Sequence, residues 1–190
     1  LDGGSLVLEE INPQPNPAFP GINPEPIEVN LHRLQSTVRE KHAAVGLATD
    51  GDADRIGIVT ETGRFITQLE TFALLAYYLL EARGERGAIV KTVTASRMMH
   101  LLGDLYNVPV FETQVGFKYV SPVMIENNAI IGGEESGGYA FRGHVPERDG
   151  IMAGLYFLDL LRRTGKTPSQ ILALLDEKLG PHRYHRADVH

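Results

Sequence analysis

From Thr67 to Arg163 short apolar runs alternate with helix-length segments, and this alternation limits the possible folds more than any other feature of the chain. Thr67, with Glu70 three residues on, forms a capping box that opens a helix to about Arg83. The run "AIVKTV" (88–93) reads as a strand, Ser96 to Tyr106 as a helix capped by Ser96, and "PVFET" (109–113) as the next strand. A helix over Phe117–Glu126 and a strand at "AIIGG" (129–133) follow. Asp149 caps a helix to about Arg163, and "TPSQ" (167–170) starts another. Strands that alternate with helices pair in parallel, with helices on both faces of the sheet. The expected class is α/β: mixed, mostly parallel sheets covered by helices.

The first 66 residues read as a truncated unit of the same kind. Residues 11–27, "INPQPNPAFPGINPEPI", hold more than half of the eleven prolines, so neither a helix nor a paired strand can form there. That stretch is a linker or an ordered extended loop. Asn30 is placed to cap a helix to about His42, with Leu31, Leu34 and Val38 on one face. "AAVGLAT" (43–49) and "RIGIVT" (55–60) read as strands, with a turn at Glu61–Arg64. A boundary near residue 66 gives units 1–66 and 67–185, with 186–190 as a tail.

Composition removes several function classes. A net charge of −6 argues against nucleic-acid binding, which calls for a basic face. Without cysteine there is no disulfide, thiolate metal site or thiol nucleophile, which fits a cytoplasmic protein. The longest strongly apolar run, Phe72–Leu80, is too short to span a membrane. The opening "LDGGSLVLEE" has neither an initiator Met nor the features of a signal peptide, and reads as the interior of a longer chain.

Within "ATDGDADRIGIV" (48–59), Asp50, Asp52 and Asp54 stand at alternate positions after an apolar run. Three neighbouring carboxylates repel one another, and a cation relieves that repulsion. An oxygen-only donor set at the carboxyl end of a strand suits Mg²⁺. An EF-hand loop also starts Asp-x-Asp-x-Asp and would reach Glu61 at its twelfth position, but Arg55 stands where it needs Gly. A phosphatase of the haloacid dehalogenase kind, with Asp50 as nucleophile, is an alternative, although Asp54 occupies a position where that kind carries Thr or Val.

A second constellation is "IIGGEESGGYAF" (130–141). Its glycines let backbone approach a ligand closely, and Glu134 and Ser136 are suited to hold the vicinal hydroxyls of a sugar. Lys91 and Lys118 stand close to the ends of predicted strands, where an ammonium suits a phosphate. Metal carboxylates, cations and a hydroxyl-binding loop together suggest a phosphorylated sugar.

These motifs closely resemble those of the α-D-phosphohexomutases, the phosphoglucomutase and phosphomannomutase family. "TDGDADR" (49–55) resembles their metal loop and "GEESGG" (133–138) their sugar-binding loop. "NPAFPGINPEP" (16–26), "VGFKY" (115–119) and "HVPERDG" (144–150) are similar to further family segments in the same order. The resemblance implies that residues 1–66 are the later part of the family's second domain, and residues 67–185 its third. It implies that Asp50, Asp52 and Asp54 bind Mg²⁺ and that Arg55 sits beside the phosphate. Glu134 and Ser136 would hold the 3- and 4-hydroxyls. Lys118 would contact substrate and assist proton transfer, with Lys91 as a further contact.

The implied reaction interconverts hexose 1-phosphate and hexose 6-phosphate through a phosphoserine and a hexose 1,6-bisphosphate. The family's phosphoserine precedes the metal loop in its first domain, and a fourth domain grips the phosphate. Neither segment is in these residues, and Ser96 in "TASRM" (94–98) lies on the wrong side of the metal loop to be that serine. The 190 residues are therefore expected to be inactive alone, in practice a Mg²⁺ or sugar-phosphate binding module. Gly138, where other members carry His, favours glucose over mannose phosphates as the substrate.

Overall fold

The computed structural model describes residues 7–183, folded as two small sheets that share a helical core. Helix α1 (His32–Lys41) is followed by an antiparallel meander of β1 (Val45–Thr49), β2 (Ile56–Thr60) and β3 (Phe65–Ile66). Helix α2 (Gln68–Tyr77) continues as a π-helical turn over Tyr78–Ala82. Then come β4 (Ile89–Thr92), α3 (Met98–Tyr106), β5 (Val110–Thr113), α4 (Phe117–Glu126), β6 (Ile131–Gly133) and β7 (Tyr139–Phe141). The described chain closes with α5 (Gly150–Thr164) and α6 (Pro168–Leu179).

The second sheet has strand order β5-β4-β6-β7. Its first three strands are parallel, and β7 returns antiparallel to β6. Helix α4 covers one face, where Phe117, Val120 and Met124 pack with Val90 and Ala140. Ile89, Ile131 and Tyr139 alternate to the other face and enter the main core with α2, α3, α5 and α6. Both faces are covered, as the alternating pattern requires.

The first sheet departs from expectation. β1 and β2 pair as an antiparallel hairpin, so the aspartates occupy a hairpin loop and not a crossover of a parallel sheet. The two runs are only a few residues apart, and a parallel pair would need a crossover of a dozen residues or more. β2 is buried along its whole length because both of its faces are used. Val59 packs with Leu31, Val38 and Phe65 under α1, while Ile56 and Ile58 join the main core. That core includes Ile66, so the apolar packing runs across residue 66 without a break.

Several helix starts follow the local chemistry of the sequence. The capping box at Thr67 forms in both directions, Glu70 N–H to Thr67 Oγ1 at 3.2 Å and Thr67 N–H to Glu70 Oε2 at 2.9 Å. Asp149 accepts from Met152 N–H at 2.7 Å, and Ser96 Oγ accepts from Met98 N–H at 3.1 Å. Asn30 does not cap α1: it sits in a preceding 3₁₀ turn and donates Nδ2–H to Glu25 O at 2.9 Å. The proline-rich stretch has no helix or strand, but its end is anchored, because Pro26 O accepts from Gln68 Nε2–H at 3.3 Å. The expected tail at 186–190 lies outside the described residues.

Candidate functional site: two loops stitched by backbone

The β1–β2 hairpin places the three aspartates close together. Asp50, Asp52 and Asp54 each offer a carboxylate oxygen, and these oxygens lie within 4.8 Å of one another. Ala53 lets the loop turn by adopting a left-handed conformation (φ 59°), closed by its N–H on Asp50 O at 3.2 Å. Asp52 is exposed, whereas Asp50 is only 8% exposed. Burial works to raise the pKa of Asp50, but hydrogen bonds from Arg55 Nε–H (2.6 Å) and Arg55 N–H (3.1 Å) outweigh it and hold the carboxyl below its ordinary range. Burial, with Asp50 close by, pushes Asp54 up to about 6. That crowding is what a divalent cation would relieve, and an all-oxygen trio on one loop fits Mg²⁺.

Arg55 is held on two sides, by Asp50 and by Glu25 Oε1 at 3.2 Å from its Nη1. Its place next to the second constellation is set by backbone. Arg55 and Gly138 form an isolated bridge, and Ile56 N–H donates to Gly137 O at 3.2 Å. Helix α5 abuts the same loop through Gly150, whose N–H donates to Ala53 O at 2.9 Å. A Cβ at 150 would overlap Arg55 O and lie 2.9 Å from Ala53 O, so only glycine allows this approach.

Glu134 is 6% exposed at the end of β6 and accepts from Gly116 N–H at 3.0 Å. Gly116 is the residue before α4, so this hydrogen bond brings the helix start carrying Lys118 to the loop that carries Glu134. Lys118 itself is exposed, with Nζ 5.0 Å from the Tyr119 ring centre. Ser136 is exposed at the loop tip. A cleft of about 420 Å³ opens beside these groups, with Glu25, Val29, Val115, Glu134 and Ser136 in its walls.

Lys91 lies on β4 in register with Gly133, the residue before Glu134, but its side chain is buried. Its Nζ is buried inside β4, 2.7 Å from Glu112 Oε2, and donates to Thr92 O and Ala95 O at 3.3 and 3.2 Å. All three donors of its ammonium are used at the ends of β4 and β5, so a substrate contact by Lys91 would have to displace one of these partners. Both Asp50 oxygens also accept from Arg55, which fixes the orientation of the carboxylate.

Two site residues escaped the sequence reading. Glu25 steadies Arg55, and Arg148 reaches between the loops, with Nη2 2.6 Å from Asp54 Oδ2 and Nη1 3.7 Å from Glu134 Oε2. The signal for Arg148 was its position just before Asp149, the cap of α5, because a cation is disfavoured at a helix N-terminus unless anions hold it there.

Comparison with known proteins supplies the context. The family profile described as phosphoglucomutase/phosphomannomutase alpha/beta/alpha domain II matches residues 3–63, and that of domain III matches residues 69–178. A phosphoglucomutase/phosphomannomutase of Thermococcus kodakarensis is 38% identical over 85% of the chain and 35% of its own length. A phosphoglucosamine mutase of Acetivibrio thermocellus is 32% identical over 81% of the chain and 36% of its own length. A crystal structure from Thermus thermophilus, described as a phosphomannomutase, superposes with TM-score 0.85 at 36% identity, covering 90% of this chain and 39% of that one. The chain thus spans about a third of the length of the curated relatives.

Proposed function

The chain belongs to the phosphoglucomutase/phosphomannomutase family, and from that premise we propose that it forms the metal- and sugar-binding half of an enzyme that interconverts hexose 1-phosphate and hexose 6-phosphate. The observation that supports this reading most directly is the backbone stitching of the carboxylate loop to the Glu134–Ser136 loop. A phosphorylated sugar spanning the two loops would meet the anion-binding groups on one and hydroxyl acceptors on the other.

Asp50, Asp52 and Asp54 would hold Mg²⁺, which when bound neutralises charge on phosphoryl oxygens. Arg55, steadied by Asp50 and Glu25, presents the rest of its guanidinium to a phosphate. Glu134 and Ser136 would orient the 3- and 4-hydroxyls, and Lys118, exposed in the first turn of α4, would meet the substrate and move a proton. Phosphoryl transfer needs little covalent chemistry from the protein beyond a phosphate carrier, so positioning and charge carry the catalysis. A phosphoserine would be that carrier and hexose 1,6-bisphosphate the intermediate and activator, and the cytoplasm the setting. Gly138 favours glucose phosphates. These 190 residues are proposed to bind both ligands without turning over alone.

Phosphorus NMR of glucose 1-phosphate with Mg²⁺ and a trace of glucose 1,6-bisphosphate tests this reading. It is run on these 190 residues and on a longer protein that carries them. Glucose 6-phosphate from the longer protein alone supports the mutase and the inactivity of this part. Turnover by the 190 residues overturns the inactivity, and release of inorganic phosphate overturns the mutase. Parallel spectra with mannose 1-phosphate and glucosamine 1-phosphate decide the hexose, and equal rates with all three refute the glucose preference.

A further inference from the structure

Arg148 lies in none of the roles above, yet it is the side chain on which the site's separate segments converge. Its guanidinium contacts Asp54 of the metal loop at 2.6 Å, faces Glu134 of the hydroxyl loop at 3.7 Å, and sits 5.8 Å from the ring centre of Phe117 at the start of α4. Its Nε is buried without a hydrogen bond, the nearest carboxylate oxygen, Glu147 Oε1, lying 3.6 Å away. The path of the side chain is narrow. A Cβ at Gly138 would overlap Arg148 Cδ and come within 2.8 Å of Cγ, but would lie 3.4 Å from Cβ, an ordinary contact. The backbone leading to Arg148 is fastened as well, since Ser121 Oγ–H donates to Pro146 O at 2.6 Å.

We infer that Arg148 is a positioning residue that locks the hydroxyl-binding loop to the metal loop and moderates the loop's affinity for a cation, with Gly138 as the gap its stem requires. One guanidinium shared between Asp54 and Glu134 offsets two buried or half-buried carboxylates, and it fixes their separation. The same positive charge opposes a divalent cation at the aspartates, because like charges a few ångströms apart repel strongly where water is partly excluded. A side chain at 138 would push the stem aside and undo both effects. The choice of residue at 138 therefore acts through Arg148, and not only through whatever a substrate touches there. The cation half of this inference rests on the reading of the aspartates as a Mg²⁺ site.

A double-mutant cycle on this chain tests it, with Arg148→Ala, Gly138→Ala and the pair, read by thermal unfolding and by calorimetric titration with Mg²⁺. Gly138→Ala should lower Tm by about 3 °C or more in the otherwise unchanged chain and leave it unchanged in the Arg148→Ala background. Arg148→Ala should bind Mg²⁺ at least about 5-fold more tightly, and Arg148→Lys, which keeps the charge, should return toward the starting affinity. A residue that only supported the loop would weaken Mg²⁺ binding when removed. Additive effects of the two substitutions, or weaker or unchanged Mg²⁺ binding in Arg148→Ala, would overturn the inference. If the unchanged chain takes up no Mg²⁺, the metal-site reading fails with the cation half, while the unfolding cycle still decides the lock.

Discussion

Asp52 separates metal binding from folding at the scale of one residue. It is the exposed member of the trio, and an exposed charge contributes little to stability. Asp52→Asn should lower Mg²⁺ affinity at least about 10-fold, as loss of a charged ligand from a trio would, while Tm moves by about 1 °C or less. Titration calorimetry and thermal unfolding check the two halves, and a large Tm drop with intact Mg²⁺ binding would refute the assignment. Spacing and local chemistry single out the aspartates, Arg55, Glu134, Ser136 and Lys118 as candidates. Spacing does not say which way a strand residue points, and the ammonium of Lys91 is paired with Glu112 across the parallel strands. Arg148 and Glu25 were missed because their partners are distant in the chain, Arg148 lying 94 residues beyond Asp54.

At the scale of elements, α5 supports the site from behind. Gly150→Ala forces a Cβ against Arg55 O, which is backbone and yields little. The substitution should cost about 1–3 kcal/mol of stability and weaken Mg²⁺ binding together, both measurable by denaturant unfolding and titration. The far half of α5 is tied to the π-helical turn after α2 by Asp159, which accepts from Tyr78 Oη–H at 2.6 Å and from Arg162 Nε–H at 3.0 Å. The Tyr78 hydroxyl, then the Arg163 and Arg162 guanidiniums, hold the Asp159 carboxyl well below the usual carboxylate range. A depressed folded pKa contributes stability that is present above the unfolded value of about 3.9 and lost as pH falls through the folded one. Asp159→Asn should therefore cost about 1–2 kcal/mol at pH 7, and the deficit should shrink as pH falls below about 4. Urea unfolding across that range checks the sign, and a pH-independent deficit would contradict it.

For the whole molecule, one core crosses residue 66, where the sequence suggests a boundary. Ile58 is fully buried and packs in the same cluster as residues of α2, α5 and the second sheet. Ile58→Ala should cost about 2–5 kcal/mol, and the chain should still unfold in one transition whether followed by far-ultraviolet circular dichroism or by tyrosine fluorescence. Two separated transitions would show that residues 7–66 and 67–183 are independent units. The sequence by itself determined the elements whose causes are local: the capping box at Thr67, the alternation that makes the second sheet mostly parallel, and the two polar loops at strand ends. It left open whatever depends on partners far along the chain. The antiparallel pairing of β1 with β2, the three-residue return strand β7, the bridge between Arg55 and Gly138 and the reach of Arg148 are such features. Only the tertiary structure decided them, because strand direction and loop-to-loop contacts are selected by burial and charge pairing across the folded molecule, and no local pattern records those energies.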